Sequence, residues 1–161
     1  KKEELLYEIS GVVKNKDLKK GVEQLITTNK ILEKQISTFK KSNAGNVKED
    51  LLKDVIEVNN IRFIAKKVLM DAEDMKNVSF ALRKEKNLVM VLAAKSGEKA
   101  LLTVMLTDDV VAKGYNAGAM IRLIAKEIDG GGGGQAFFAT AGGVRTGGIV
   151  AALEKAKEIL E

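Results

Sequence analysis

Five glycines run in succession from Gly130 to Gly134, between Asp129 and a Gln-Ala-Phe-Phe-Ala-Thr-Ala-Gly-Gly segment that ends at Gly143. Each glycine costs about 0.5–1 kcal/mol relative to alanine in lost chain freedom. Five together forfeit about 2.5–5 kcal/mol in a fold that is only marginally stable. Gly130 has an ordinary use, because it follows a helical pattern ending near Ile128 and is expected to be its left-handed cap. Gly131, Gly132, Gly133 and Gly134 need another reason. Without β-carbons, successive N–H groups can turn into one concavity and hold an anion such as phosphate. The plain alternatives are tight packing of a helix on a loop, or flexibility. Phe137 and Phe138 are expected to anchor the stretch in the core, which leaves Tyr115 as the one aromatic near it expected to be exposed.

Cations stand beside this stretch. Arg122 and Lys126 are i, i+4 neighbours on the polar side of the preceding helix, Lys113 comes just before that helix and Arg145 just after the glycines. Together they suggest a basic rim around an amide-lined hollow, against the bland alternative of a solvated helix face. Two named phosphate motifs fail. Gly131, Gly133 and Ala136 satisfy a GxGxxA string, but a helix precedes it where a dinucleotide site needs a strand, and no Gly-Lys-Ser/Thr follows for a P-loop.

Other chemistries are narrowed by composition. The 161 residues include no cysteine and no histidine, which removes disulfides, thiol nucleophiles, imidazole bases and nearly every transition-metal site. Asp108 with Asp109, and Asp71 with Glu73 and Asp74, are the tight acidic clusters of the second part of the chain, and helix N-capping explains them more simply than metal binding. No catalytic residue and no metal ligand is therefore expected. The net charge of +5 leans toward an anionic partner. No apolar run approaches the ~18–20 residues of a membrane span, and no leader is evident, so a cytoplasmic module is expected. Because the sequence opens on Lys1 in mid-pattern, it is expected to be a segment of a longer protein.

The elements that must position these groups form two parts. Leu18, Val22, Leu25, Asn29, Leu32, Ile36 and Phe39 are spaced 4, 3, 4, 3, 4, 3, the a/d stripe of a heptad helix about 37 Å long if ~25 residues take part. β-Branched residues at a and leucines at d favour two-stranded pairing, with Asn29 setting register. An intramolecular hairpin is the alternative, since Leu5, Ile9 and Val12 make a short stripe before an interruption at residues 11–17, and another stripe follows a turn expected at Ser-Asn-Ala-Gly-Asn (42–46). From Asn59 the pattern changes to strand-length runs, IRFIAKKV, LVMVLAA and ALLTVML, with helices between and after them. Met75, Val78 and Leu82 line one helix face. Ala117, Met120, Ile121, Ile124, Ala125 and Ile128 line another, capped by Asn116, and Ile149, Leu153, Ala156 and Leu160 line a last one. The expected fold is α/β: a coiled-coil-like helical stalk over residues 1–57, then a small α/β sandwich globule over 58–161. Proline is absent, where average composition would supply about eight; no functional account of this follows.

The stretch YNAGAMIRLIAKEIDGGGGGQAFFATAGG, followed by an amphipathic helix, resembles the C-terminal domain of the bacterial alanyl-tRNA synthetases, whose glycine-rich module is shared with DHH-type phosphodiesterases. The specific part spans residues 113–143, and the strands and stalk before it agree in order and length. Asn116 stands where that family usually has the histidine of His-Ala-Gly, and Gln135 where it has an arginine, while Ala141-Gly142-Gly143 is kept. The resemblance implies a domain that grips the outer corner of tRNA through Lys113, Asn116, Arg122, Lys126, Gly131 to Gly134, Gln135 and Arg145, and that dimerises through the stalk. It implies no cofactor here, with ATP, magnesium and zinc belonging to upstream aminoacylation and editing domains. The competing expectations are a substrate-binding domain of a phosphodiesterase and a pure oligomerisation module.

Overall fold

A computed structural model describes residues 1–39 and 46–161, side chains included. By its internal contacts the chain divides into Lys1–Ser42 and Asn43–Glu161. The first unit holds α1 (Lys2–Val13) and most of α2 (Leu18–Lys53). Helix α1 carries through Gly11, so the break expected over 11–17 narrows to the residues after Val13, where Lys14 adopts the left-handed conformation at φ 53°. The stripe of α2 faces water: Val22, Leu25, Leu32 and Ile36 are exposed, as is Phe39. The turn expected at 42–46 falls largely on residues 40–45, outside the described residues.

The end of α2, read from the sequence as stalk, packs in the second unit. Leu51 is 2% exposed, Val47 and Leu52 pack beside it, and Lys48 pairs with Glu85 at 3.0 Å. Glu85 also meets Arg62 at 3.5 Å, and these two cations, Lys48 foremost, hold its carboxyl below the usual range.

The second unit is built on a six-stranded sheet in the order β1-β2-β3-β4-β6-β5. Its strands are β1 (Ile56–Val58), β2 (Ile61–Val68), β3 (Leu88–Ser96), β4 (Lys99–Leu106), β5 (Gly130–Gly134) and β6 (Phe138–Gly143). All neighbours are antiparallel except β2 and β3, which the crossover helix α3 (Ala72–Leu82) joins in parallel. Asn59 and Asn60 both take positive φ, 50° and 61°, as a two-residue type I′ hairpin between β1 and β2 requires.

Successive side chains of a strand point to opposite faces, and the apolar runs show the result. On β3, Val89, Val91 and Ala93 join one core with helices α5 (Ala117–Ile124) and α6 (Ile149–Leu160). Leu88, Met90, Leu92 and Ala94 join a second core with Met75, Val78 and Leu82 of α3 and with Leu51. A sheet covered on both sides explains why LVMVLAA has no polar alternation. The expected α/β sandwich is the observed one.

Of the acidic clusters, Asp71 is a helix cap. Asp71 accepts from the Asp74 N–H at 2.7 Å at the start of α3. Thr107 caps α4 (Asp108–Ala112), and Asp109 accepts from Thr107 Oγ1 at 2.5 Å and from the Asn87 and Val110 N–H groups at 2.8 and 3.1 Å. These bonds, the hydroxyl foremost, hold the Asp109 carboxyl below its ordinary value. Among the described residues no helix is long and apolar enough to cross a membrane.

The packing of Leu51 yields a direct check. Leu51→Ala should destabilise the second unit by about 2–5 kcal/mol, read from urea unfolding; a change under about 0.5 kcal/mol would detach the end of α2 from that core.

Candidate nucleic-acid interface

The glycine run is a strand and not a loop. Gly130 to Gly134 pair antiparallel with Gly143 to Ala139 along the whole of β5. The preceding helix becomes a 3₁₀ turn over Ala125–Ile128, and Asp129 takes the left-handed position at φ 49°. Asp129, not Gly130, is therefore the cap, and Gly130 is free to begin the strand.

The glycines divide by what lies over them. A β-carbon on Gly130 would come within 2.6 Å of Gly143 Cα, one on Gly132 within 2.7 Å of Ala141 Cα, and one on Gly134 within 2.6 Å of Ala139 Cα. Gly131 and Gly133 have nothing within 4 Å of that position. At 130, 132 and 134 packing against β6 forbids a side chain. At 131 and 133 no neighbour in the fold does, so a reason outside the fold is left open there.

β5 is the last strand of the sheet, and Gly130, Gly131, Gly132 and Gly134 are exposed. Its peptide groups directed away from β6 have no ladder partner. Because N–H and C=O alternate along an extended strand, this margin offers donors and acceptors in turn. It is a flat, side-chain-free edge, and the converging amide hollow expected from a glycine loop is replaced by it.

The remaining expected residues stand toward the two ends of β5, except Lys113, which is held by Asn87 just before β3. At its start, Lys126 lies on the 3₁₀ turn and the Arg145 N–H donates to Ile128 O at 2.9 Å. Arg122 is exposed on the last turn of α5. Arg122, Lys126 and Arg145 have no ion-pair partner among the described residues. At the far end, the Gln135 N–H donates to Phe138 O at 2.8 Å. The first turn of α5 rests on this hairpin tip: Ala117 N–H donates to Ala136 O at 2.8 Å and Gly118 N–H to Gln135 O at 3.2 Å. Asn116 caps the helix, as expected, accepting from Ala119 N–H at 3.0 Å. Three of the four orphan donors of α5 are thus satisfied internally, so this helix start is no anion site. Lys113 is exposed, with its Nζ donating to Asn87 Oδ1 at 2.7 Å.

The aromatics differ from expectation. Phe137 and Phe138 are half-buried and meet Phe80 of α3, at 6.1 Å and 74° for Phe137 and 5.5 Å and 39° for Phe138. Phe80 is 42% exposed, whereas Tyr115 is half-buried against the core shared by α5 and α6. The Arg83 guanidinium lies 3.9 Å from the Phe137 ring centre, held by Asp108 at 3.2 Å. Lys76, Phe80 and Arg83 were not singled out in the sequence. Their i, i+4, i+7 spacing opposite Met75, Val78 and Leu82 is the signal that marks an aromatic on the water side of α3.

With this geometry in view, comparison with known proteins is decisive over the second unit: the DHHA1 domain profile matches residues 60–161. The chain belongs to the DHHA1 domain family. The DHHA1 domain and the helices before it are 44% identical over 145 residues to the alanine–tRNA ligase of Bacteroides fragilis, an alignment that covers 89% of this chain and 17% of the ligase. The alanine–tRNA ligase of Christiangramia forsetii is 38% identical over 160 residues, covering 98% of this chain and 18% of the ligase. The chain thus spans less than a fifth of the length of these curated relatives. Among solved structures, the C-Ala domain from Aquifex aeolicus alanyl-tRNA synthetase superimposes with a TM-score of 0.62 at 28% identity, covering 66% of this chain and 96% of that domain.

The division of the glycines can be tested by thermal unfolding. Gly132→Ala should destabilise the DHHA1 domain by about 1–3 kcal/mol through overpacking. Gly131→Ala should be neutral or stabilising by about 0.4–1 kcal/mol. Equal losses at both positions would remove the packing account.

Proposed function

We propose that this chain is the tRNA-holding C-terminal part of an alanyl-tRNA synthetase, gripping the outer corner of the L-shaped tRNA while alanine–tRNA ligation and editing proceed on domains upstream. The single observation that carries this reading is the likeness to the C-Ala domain over 96% of that domain's length. The exposed glycine margin adds physical support. A strand edge without side chains lets the main chain approach riboses and phosphates closely, and 2′-hydroxyls can both give and accept the hydrogen bonds that an alternating edge offers. Arg122, Lys126 and Arg145 supply cations near the margin, and Lys113, held by Asn87 just before β3, supplies a further one away from it. Recognition on this basis reads backbone and shape, with little readout of sequence.

On this reading the chain works in the cytoplasm, carries no chemistry of its own and needs no cofactor. ATP, magnesium and zinc would serve the upstream domains. Within the tight acidic clusters, Asp71 accepts from the Asp74 N–H at the start of α3 and Asp109 from the Asn87 and Val110 N–H groups, which favours holding over hydrolysis.

A second role, self-association, is favoured by one observation: the heptad stripe of α2 leaves Val22, Leu25, Leu32 and Ile36 between 44% and 57% exposed. Two such stripes would bury one another, with Asn29 paired across the seam.

Filter binding tests the first role. Changing Lys113, Arg122, Lys126 and Arg145 together to glutamate should weaken tRNA binding by at least tenfold and flatten its salt dependence, since each phosphate contact contributes about 0.7–0.9 to the logarithmic slope. Unchanged affinity would mean that RNA is held elsewhere. Sedimentation tests the second. The wild-type chain should run as a dimer and Leu25→Glu/Leu32→Glu as a monomer, whereas identical masses would exclude pairing through this stripe.

A further inference from the structure

The margin of β5 has a neighbour on the other side of the sheet. Arg122 belongs to α5, which covers the face packed by α5 and α6. The Phe80, Phe137 and Phe138 cluster lies on the opposite face, under α3. Between that cluster and the end of the glycine strand is a cavity of about 280 Å³, lined by Phe80, Phe137, Phe138, Gly133, Gly134 and Lys76 among others.

Four features of this cleft point to one kind of occupant. It gathers three aromatic rings from a chain that has only five phenylalanines, and one of them, Phe80, is 42% exposed and so open to a ligand. Its volume falls just under the about 300–1,000 Å³ of pockets for drug-sized ligands, which suits a single planar ring system. Its charged neighbours are cationic: Lys76 Nζ lies 6.0 Å from the Phe80 ring centre and Arg83 is stacked on Phe137. Asp108 is engaged with Arg83. Among the described residues no carboxylate lines the cavity itself. Finally, Gly133, with open space where a β-carbon would be, lies at the mouth, so main-chain groups can meet the hydrogen-bonding edge of a flat ligand.

We infer that this cleft receives one unstacked nucleobase of the bound RNA, laid against Phe80, with Lys76 and Arg83 beside the phosphates that flank it. The inference rests on the RNA-holding role proposed above and deepens it. An RNA whose backbone follows the margin of β5 reaches the cleft at the hairpin tip, through Gly133, Gly134 and Gln135, without leaving the surface. Stacking on an aromatic ring accepts any base, because every base has a π-face. The cleft therefore selects for an unpaired nucleotide, and not for a particular letter.

The test uses the whole 161-residue chain, a tRNA transcript, and chemical probing of base accessibility with dimethyl sulfate. Phe80→Ala should weaken tRNA binding by roughly 5- to 150-fold, the range expected for loss of one base–aromatic stack, and leave the salt slope unchanged because no phosphate contact is removed. Phe80→Trp should restore binding. Phe80→Leu, which keeps apolar packing and melting temperature, should remain as weak as alanine. One loop base protected by the wild type should become reactive with the alanine and leucine variants. Lys76→Ala should lower the logarithmic salt slope by about 0.7–0.9. Phe80→Leu binding as tightly as wild type, or an unchanged protection pattern, would overturn the base pocket. If that happened while the fourfold charge reversal still abolished binding, the RNA-holding role would stand without it. A wild-type chain that binds no tRNA would remove both.

Discussion

Everything at the candidate interface depends on main chain lying against main chain where β5 meets β6. The positions of β-carbons at Gly130, Gly132 and Gly134 fall inside the backbone of the neighbouring strand. Such close approach cannot tolerate even alanine without a shift, and interiors packed at crystal-like density resist shifts. Bringing β5 this close fixes the hairpin tip at 135–137, which in turn receives the first N–H groups of α5 and presents Phe137 and Phe138 to Phe80. Helix, strand and aromatic cluster are thus placed by one contact.

The arrangement gives the last strand two different borders. On the side of α5 it is flanked by exposed cations, and on the side of α3 by rings with cations over them. The first border is suited to charge and the second to flat apolar surface. Polyanions whose units are planar rings combine both properties, and a strand bare of side chains is the thinnest partition that can stand between the two borders.

Most of the architecture was legible in the sequence. Continuous apolar runs implied strands covered on both faces, and the i, i+3, i+4 faces of α3, α5 and α6 are the buried ones. Asn116 and Asp71 cap where their side chains predicted. Three things were not legible. A run of glycines has no hydrophobic period, so nothing in it distinguishes an extended strand from a loop, and the strand assignment rests on pairing with β6, which is a tertiary fact. The burial of Phe137 and Phe138 depended on the same pairing, because Phe137 stands just before β6 and both rings meet Phe80 of α3, a contact that only the fold brings about. The end of α2 kept its helical pattern past the stalk, so its change of partner, from water to the core around Leu51, left no mark in the periodicity. The resemblance to the C-terminal domain of alanyl-tRNA synthetases, by contrast, was carried by a few adjacent residues and agrees with the family match.

The type I′ corner at Asn59 and Asn60 sits at the opposite margin from the glycines, where β1 closes the sheet with only three residues. A short, tightly turned strand is a poor template for another molecule's strand. The glycine margin has no lysine or proline along it, and its outward peptide groups stay open. One end of the sheet is closed by brevity, and the other leaves its backbone chemically accessible to a ligand that brings its own rigidity.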